Sequence, residues 1–170
     1  MLRTTLRTAT QSASTGRRAY SSIKPVYTAH ATSTGGRQGK TSAPEAGIPE
    51  LTLGTPKGLG GKDDHSKSNP EALFASTYSA CFIGAMGLAA GQLKAKLPPT
   101  VTAMADVSIG SPTDNSGGFK IAATLRIPFD SLEGSGLDRS GAEELLKKAH
   151  ELCPYSRATR GNIEVDIKLE

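Results

Sequence analysis

Cysteine is scarce in this chain and long apolar runs are missing. Only Cys81 and Cys153 occur among 170 residues, which excludes a disulfide-stapled scaffold, and a chain of this length can build a hydrophobic core without one. No uninterrupted apolar run reaches the roughly 18 residues of a membrane span. Ser, Thr, Gly and Gln break up even the stretch around Cys81. A soluble protein with no membrane span is therefore expected. Histidine is rare as well: His30, His65 and His150 stand at no CxxC, HxxxH or HExxH spacing. His150 precedes Cys153 by one helical turn, but no third ligand is identifiable, so a metal centre has little support. A serine hydrolase lacks its GxSxG elbow.

Acidic residues are missing before Glu45, whereas Arg3, Arg7, Arg17 and Arg18 crowd the first segment. The net charge of +4 comes from there: without those four arginines, basic and acidic residues balance at 16 each. A neutral body argues against nucleic-acid binding. The segment is rich in Arg, Ser and Thr and places Leu2 and Leu6 at helical spacing, so residues 1–20 read as a mitochondrial transit peptide, cleaved after Tyr20 within RRAYSS. Residues 21–170 then form the mature domain in the matrix, where thiols are kept mostly reduced.

Along that domain, the spacing predicts a strand from Val26 to Thr34, turned by Gly35 and Gly36, with Arg37 at the turn. Residues 41–67, dense in Gly, Pro and Ser, read as a long loop holding at most a short strand at 51–53. Asn69, Pro70 and Glu71 announce a helix that is expected to run to Ala90, stop at Gly91 and be packed on several sides. Val101, Ala103, Ala105, Val107 and Ile109 alternate along one strand, and Phe119, Ile121, Ala123, Leu125 and Ile127 along the next, predicting an antiparallel hairpin with a long tip. A second helix, with Ser140 and Glu143 as a capping box, carries Leu145, Leu146, Ala149 and Leu152 on its apolar face and ends at Pro154. A last strand alternates through Ile163, Val165, Ile167 and Leu169. The sum is an α+β domain with antiparallel pairing.

The two thiols admit several readings. A Cys in an Ala- and Gly-rich helix is most often packing. A redox pair would need one thiolate at neutral pH, hence a nearby cation, because a free thiol titrates near 8.5. Cys81 lies too deep in its helix for the N-terminal dipole to help, and Cys153 sits at a helix C-terminus, where thiolate is disfavoured. That asymmetry suggests Cys81 as attacking thiol and Cys153 as its partner.

The segments GGRQG, SNPEALFASTYSACFIGA and AHELCPYSRATRGNI together resemble the organic hydroperoxide resistance (Ohr) peroxidases of the OsmC-like superfamily, across residues 26–169. The resemblance implies an OsmC-like fold, with antiparallel sheets packed on two main helices, in an intertwined homodimer. The basic N-terminal segment, foreign to bacterial members, implies a eukaryotic, mitochondrial version. By motif match, Cys81 attacks an organic hydroperoxide and becomes a sulfenic acid, Cys153 condenses with it to a disulfide, and Arg37 and Glu71 are the catalytic arginine and glutamate. The implied reductant is a dihydrolipoyl group on a lipoylated protein, with no bound metal or organic cofactor. Glu71 lies roughly 15 Å along a straight helix from Cys81, so the expectation is that Glu71 orients Arg37 and Arg37 reaches the sulfur, in the same subunit or across the dimer. Phe82, Met86 and Tyr155 are expected to give the site an apolar surround suited to alkyl or fatty-acyl hydroperoxides. Arg157 departs from the smaller polar residue frequent in the family and adds positive charge near Cys153. The other reading is a non-catalytic OsmC-like binding or redox-sensing protein.

Overall fold

The computed structural model describes residues 23–62, 64–114 and 116–170; the segment read as a transit peptide lies outside them. The chain opens with β1 (Thr32–Thr34), β2 (Lys40–Ala43) and β3 (Ile48–Thr52), an antiparallel sheet in the order β1-β2-β3. Helix α1 (Pro70–Gln92) follows, then β4 (Met104–Gly110) and β5 (Lys120–Ile127). Helices α2 (Arg139–Leu152) and α3 (Pro154–Thr159) precede β6 (Val165–Leu169). The architecture is α+β, as predicted.

The first sheet departs most from expectation. The predicted strand at 26–34 shrinks to β1, with Val26 almost wholly exposed. The predicted long loop holds β2 and β3, joined by a turn at Pro44–Ala46 and left-handed Gly47. Strand β3 leaves most of its side chains in water, and β2 buries only Ala43, so neither carries the apolar alternation that announces a strand.

The second sheet pairs apolar positions in register. Antiparallel β4 and β5 set Ala105 opposite Leu125, Val107 opposite Ala123 and Ile109 opposite Ile121, which puts both predicted apolar faces on one side. Strand β6 joins β5 in parallel, with Ala123 opposite Val165 and Ile127 opposite Leu169. The antiparallel expectation fails here because α2 and α3 form a crossover that returns the chain to the end of the sheet where β5 began.

Helix α1 begins as predicted: the Asn69 side chain accepts a 2.8 Å hydrogen bond from the Ala72 N–H, and Pro70 opens the helix. It runs past Gly91, and the first left-handed residue is Lys94 (φ 56°). Capping of α2 falls to Asp138, whose carboxylate accepts from the Gly141 N–H at 2.8 Å, not to Ser140. Tyr78, Phe82, Met86 and Ala89 of α1 are buried with Leu125 and Ile127 of β5 and Leu145 and Ala149 of α2. By length and composition alone α1 would also suit a membrane span; its buried side is the core of this domain. Its opposite side is not packed on all faces as expected, since Ser76, Ala80, Gly84, Gly87 and Gly91 are exposed and Leu88 is 66% exposed.

Candidate functional site: a thiol pair and an arginine–glutamate pair

Two constellations emerge from the four predicted site residues. In the first, the Cys81 and Cys153 sulfurs lie 3.7 Å apart across 72 residues of sequence, with both thiols free. A disulfide has its sulfurs about 2.05 Å apart, so a small movement closes the bond. Cys153 is fully buried, whereas Cys81 is partly exposed. The more accessible thiol is therefore the one on α1.

The pairing follows from how the chain turns at Cys153. Pro154 lacks the N–H needed to continue α2 and suits a helical first turn, so Cys153 closes α2 and begins α3 at once. Lying between a helix C-terminus and a helix N-terminus, it is not set apart by the dipole as the sequence suggested. Cys153, Ser156 and Thr159, three residues apart, form the buried face of α3.

Aromatic rings crowd the pair. Tyr155 stacks on Phe74 with centroids 6.0 Å apart and planes 8° from parallel, and Tyr78 tilts against both at 5.6 and 5.9 Å. Phe74 and Tyr78 precede Cys81 by seven and three residues and share its side of α1, a helical spacing readable in the sequence. Of the predicted apolar surround, Tyr155 joins this ring cluster. Phe82 and Met86 are fully buried in the core.

Burial raises the Cys81 thiol above its ordinary value. A hydrogen bond from the Tyr155 main chain pulls the other way, and Cys153 adds to the rise. Among the described residues no hydrogen bond or ion pair joins Arg37 to Cys81; the guanidinium is engaged by Glu71.

Arg37 instead forms the second constellation, donating from Nη1 and Nη2 to the two Glu71 carboxylate oxygens at 2.8 and 2.6 Å. The backbone explains the meeting. Gly35 is left-handed (φ 71°), and a Cβ on Gly39 would lie 1.7 Å from the Thr34 carbonyl oxygen, so the Arg37 turn requires glycine at both ends. The Leu53 N–H donates to the Gly39 carbonyl at 2.8 Å, and the Ser68 N–H to the Thr52 carbonyl at 3.0 Å. This ladder ties the turn to the residue before Asn69 and so to the first turn of α1. Each partner holds the other charged: Glu71 is pushed below the usual carboxylate range by hydrogen bonds from Arg37, and Arg37 is raised by Glu71. Glu71 is 12% exposed and Arg37 39%.

Near Glu71 a groove of about 470 Å³ runs between α1 and β4, lined by Ala72, Ala75, Ala105, Val107 and Ile109. Neither cysteine lines it. Among the described residues no three His, Cys, Asp or Glu side chains cluster as a metal site would require.

A family model described as OsmC-like protein matches residues 61–168. The chain is 46% identical over 146 residues to an organic hydroperoxide resistance protein of Xanthomonas axonopodis pv. citri, covering 86% of this chain and 96% of the relative. It is 37% identical to organic hydroperoxide resistance protein OhrA of Bacillus subtilis, covering 86% and 97%. Among solved structures, an organic hydroperoxide resistance protein from Legionella pneumophila aligns with a TM-score of 0.74 at 37% identity, over 86% of this chain and 99% of that one.

Proposed function

The chain belongs to the OsmC-like family and, within it, to the organic hydroperoxide resistance proteins, and on that premise we propose that it is a cysteine-based peroxidase reducing alkyl or fatty-acyl hydroperoxides to alcohols. The observation that carries this reading is the 3.7 Å approach of two free thiols, one partly exposed and one buried behind it. The Cys81 thiolate attacks the peroxide's terminal oxygen, the O–O bond breaks, and an alkoxide leaves and is protonated. Cys81 is then a sulfenic acid. The Cys153 thiol attacks that sulfur, water departs and a Cys81–Cys153 disulfide remains. A dihydrolipoyl group on a protein returns both thiols by exchange. No step calls for a bound cofactor.

The first step needs a thiolate, yet burial holds Cys81 protonated. Arg37 is the cation we assign to it, with Glu71 as the group that orients the guanidinium. In one chain Glu71 lies roughly 15 Å along α1 from Cys81, so a homodimer, in which a second copy brings its own Arg37–Glu71 pair to the sulfur, answers the geometry better than a swing within one subunit. The exposed α1 face around Leu88 supports such packing. The basic, acid-free segment before Ser21 supports a mitochondrial matrix location, and import of a reporter fused to residues 1–20 into isolated mitochondria tests it.

Steady-state turnover with cumene hydroperoxide and a lipoylated protein tests the activity. Multiple turnovers lost in Cys81→Ser are expected, with slower turnover on hydrogen peroxide. A single slow oxidation without turnover overturns the enzyme reading in favour of redox sensing.

A further inference from the structure

The hydroxyl of Tyr78 lies at the bottom of the domain core, in contact with two hydroxyls that the thiol chemistry does not use. Its Oη is 3.0 Å from Ser156 Oγ and 3.3 Å from Thr159 Oγ1, and Thr159 Oγ1 lies 2.9 Å from the Tyr155 carbonyl. Tyr78 and Ser156 are fully buried and Thr159 nearly so. A carbonyl only accepts, so the Thr159 proton goes to a main-chain carbonyl, that of Tyr155 at 2.9 Å with that of Ser156 also in reach at 3.2 Å. The donor order satisfying all three contacts runs from Ser156 to Tyr78, from Tyr78 to Thr159 and from Thr159 to the Tyr155 carbonyl.

The chain of hydroxyls is in register with the sulfurs. Tyr78 and Cys81 are three residues apart on α1, and Cys153 and Ser156 are three apart where α3 begins. The oxygen contact at 3.0 Å and the sulfur contact at 3.7 Å are thus successive rungs between the same two segments. The network also ends on Tyr155, whose main chain hydrogen-bonds Cys81. Packing alone does not require the oxygen, because a phenyl ring fills the same space against Phe74 and Tyr155. A buried hydroxyl is costly unless bonded, and a bonded one fixes geometry.

We propose that Tyr78, through Ser156 and Thr159, is a positioning residue that holds the start of α3 against α1 so that Cys153 meets Cys81 at bonding approach. It sets the condensation of sulfenic acid with thiol, and the stability of the resulting disulfide, without touching the peroxide. The inference rests on the thiol-pair chemistry proposed above, and a test that uses no peroxide separates the two.

Wild type, Tyr78→Phe and Ser156→Ala are equilibrated in dithiothreitol redox buffers, and the Cys81–Cys153 disulfide is quantified by thiol labelling and peptide mass spectrometry. Leu146→Ala, a core truncation on α2, serves as a control for lost stability. The expected result is a disulfide formation constant roughly tenfold lower in both hydroxyl variants, the scale of one buried hydrogen bond, with Leu146→Ala unchanged. Sulfenic acid trapped on Cys81 after cumene hydroperoxide should persist longer in Tyr78→Phe, while the rate of peroxide consumption stays at the wild-type value. An unchanged constant in Tyr78→Phe, or an equal loss in Leu146→Ala, overturns the positioning role and leaves the peroxidase intact. A wild type that forms no Cys81–Cys153 disulfide overturns both.

Discussion

At Cys81, burial and charge oppose one another. A buried thiol resists ionisation, and the Tyr155 main-chain hydrogen bond offsets burial only in part. Arg37 is the cation proposed to offset it. Arg37→Gln is expected to move the pH midpoint of Cys81 alkylation upward and to slow peroxide reduction at neutral pH by at least roughly tenfold, a loss of general electrostatic scale; alkylation rates across pH, in both proteins, check this. The folding consequence has the opposite sense to a salt bridge. Above the ordinary thiol range the unfolded chain releases its Cys81 proton first, so stability falls as pH rises from there toward the raised folded value. Glu71 runs the other way: its lowered value stabilises the fold above the ordinary carboxylate range, and that contribution is lost as pH falls through the folded value. Because Arg37 is more than a third exposed, the pair contributes little to folding, and Glu71→Gln should cost far more in activity than in stability.

Among the elements, the turn that presents Arg37 is the most constrained. A Cβ on Gly39 would run into the Thr34 carbonyl, so Gly39→Ala is expected to open the turn and reduce peroxidase activity about as far as Arg37→Gln, while the apolar core and the thermal midpoint change little. Thermal unfolding beside turnover measures that separation. The elements legible in the sequence were those whose core drives them. The cap at Asn69, the paired alternation of β4 and β5 and the stop at Pro154 each rest on local chemistry or a buried face. Strand β2 was hidden because its short run carries no apolar alternation, β3 was glimpsed only at its end in the short strand expected at 51–53, and the parallel placement of β6 depends on a crossover no single segment encodes. Helix α3 followed Pro154 too closely to be separated from the end of α2. The motifs singled out the residues that the fold pairs, Cys81 with Cys153 and Arg37 with Glu71, but not Phe74, Tyr78, Ser156 or Thr159. Their helical offsets from Cys81 and Cys153 were the available signal, and only the tertiary contact between α1 and α3 gives those offsets meaning.

For the whole molecule, the thiol pair meets α1 at Cys81 and the ion pair meets it at Glu71, ten residues or roughly 15 Å apart along the helix axis. The small-residue face from Ser76 to Gly91, with Leu88 two-thirds exposed, would let another helix approach closely. Leu88→Glu is expected to yield monomer by sedimentation velocity and to lose peroxidase turnover, while the Cys81–Cys153 disulfide still forms in redox buffer. A monomeric variant that keeps full activity would remove the need for a second copy. The peroxide chemistry itself stands on the two sulfurs alone. Its most direct measurement is intact and peptide mass spectrometry of the reduced protein after one equivalent of cumene hydroperoxide, beside Cys81→Ser and Cys153→Ser. Rapid loss of two hydrogens, mapped to Cys81 and Cys153, is expected, with sulfenic acid trapped on Cys81 when Cys153 is replaced. An unchanged mass, or the same oxidation in Cys81→Ser, would contradict it.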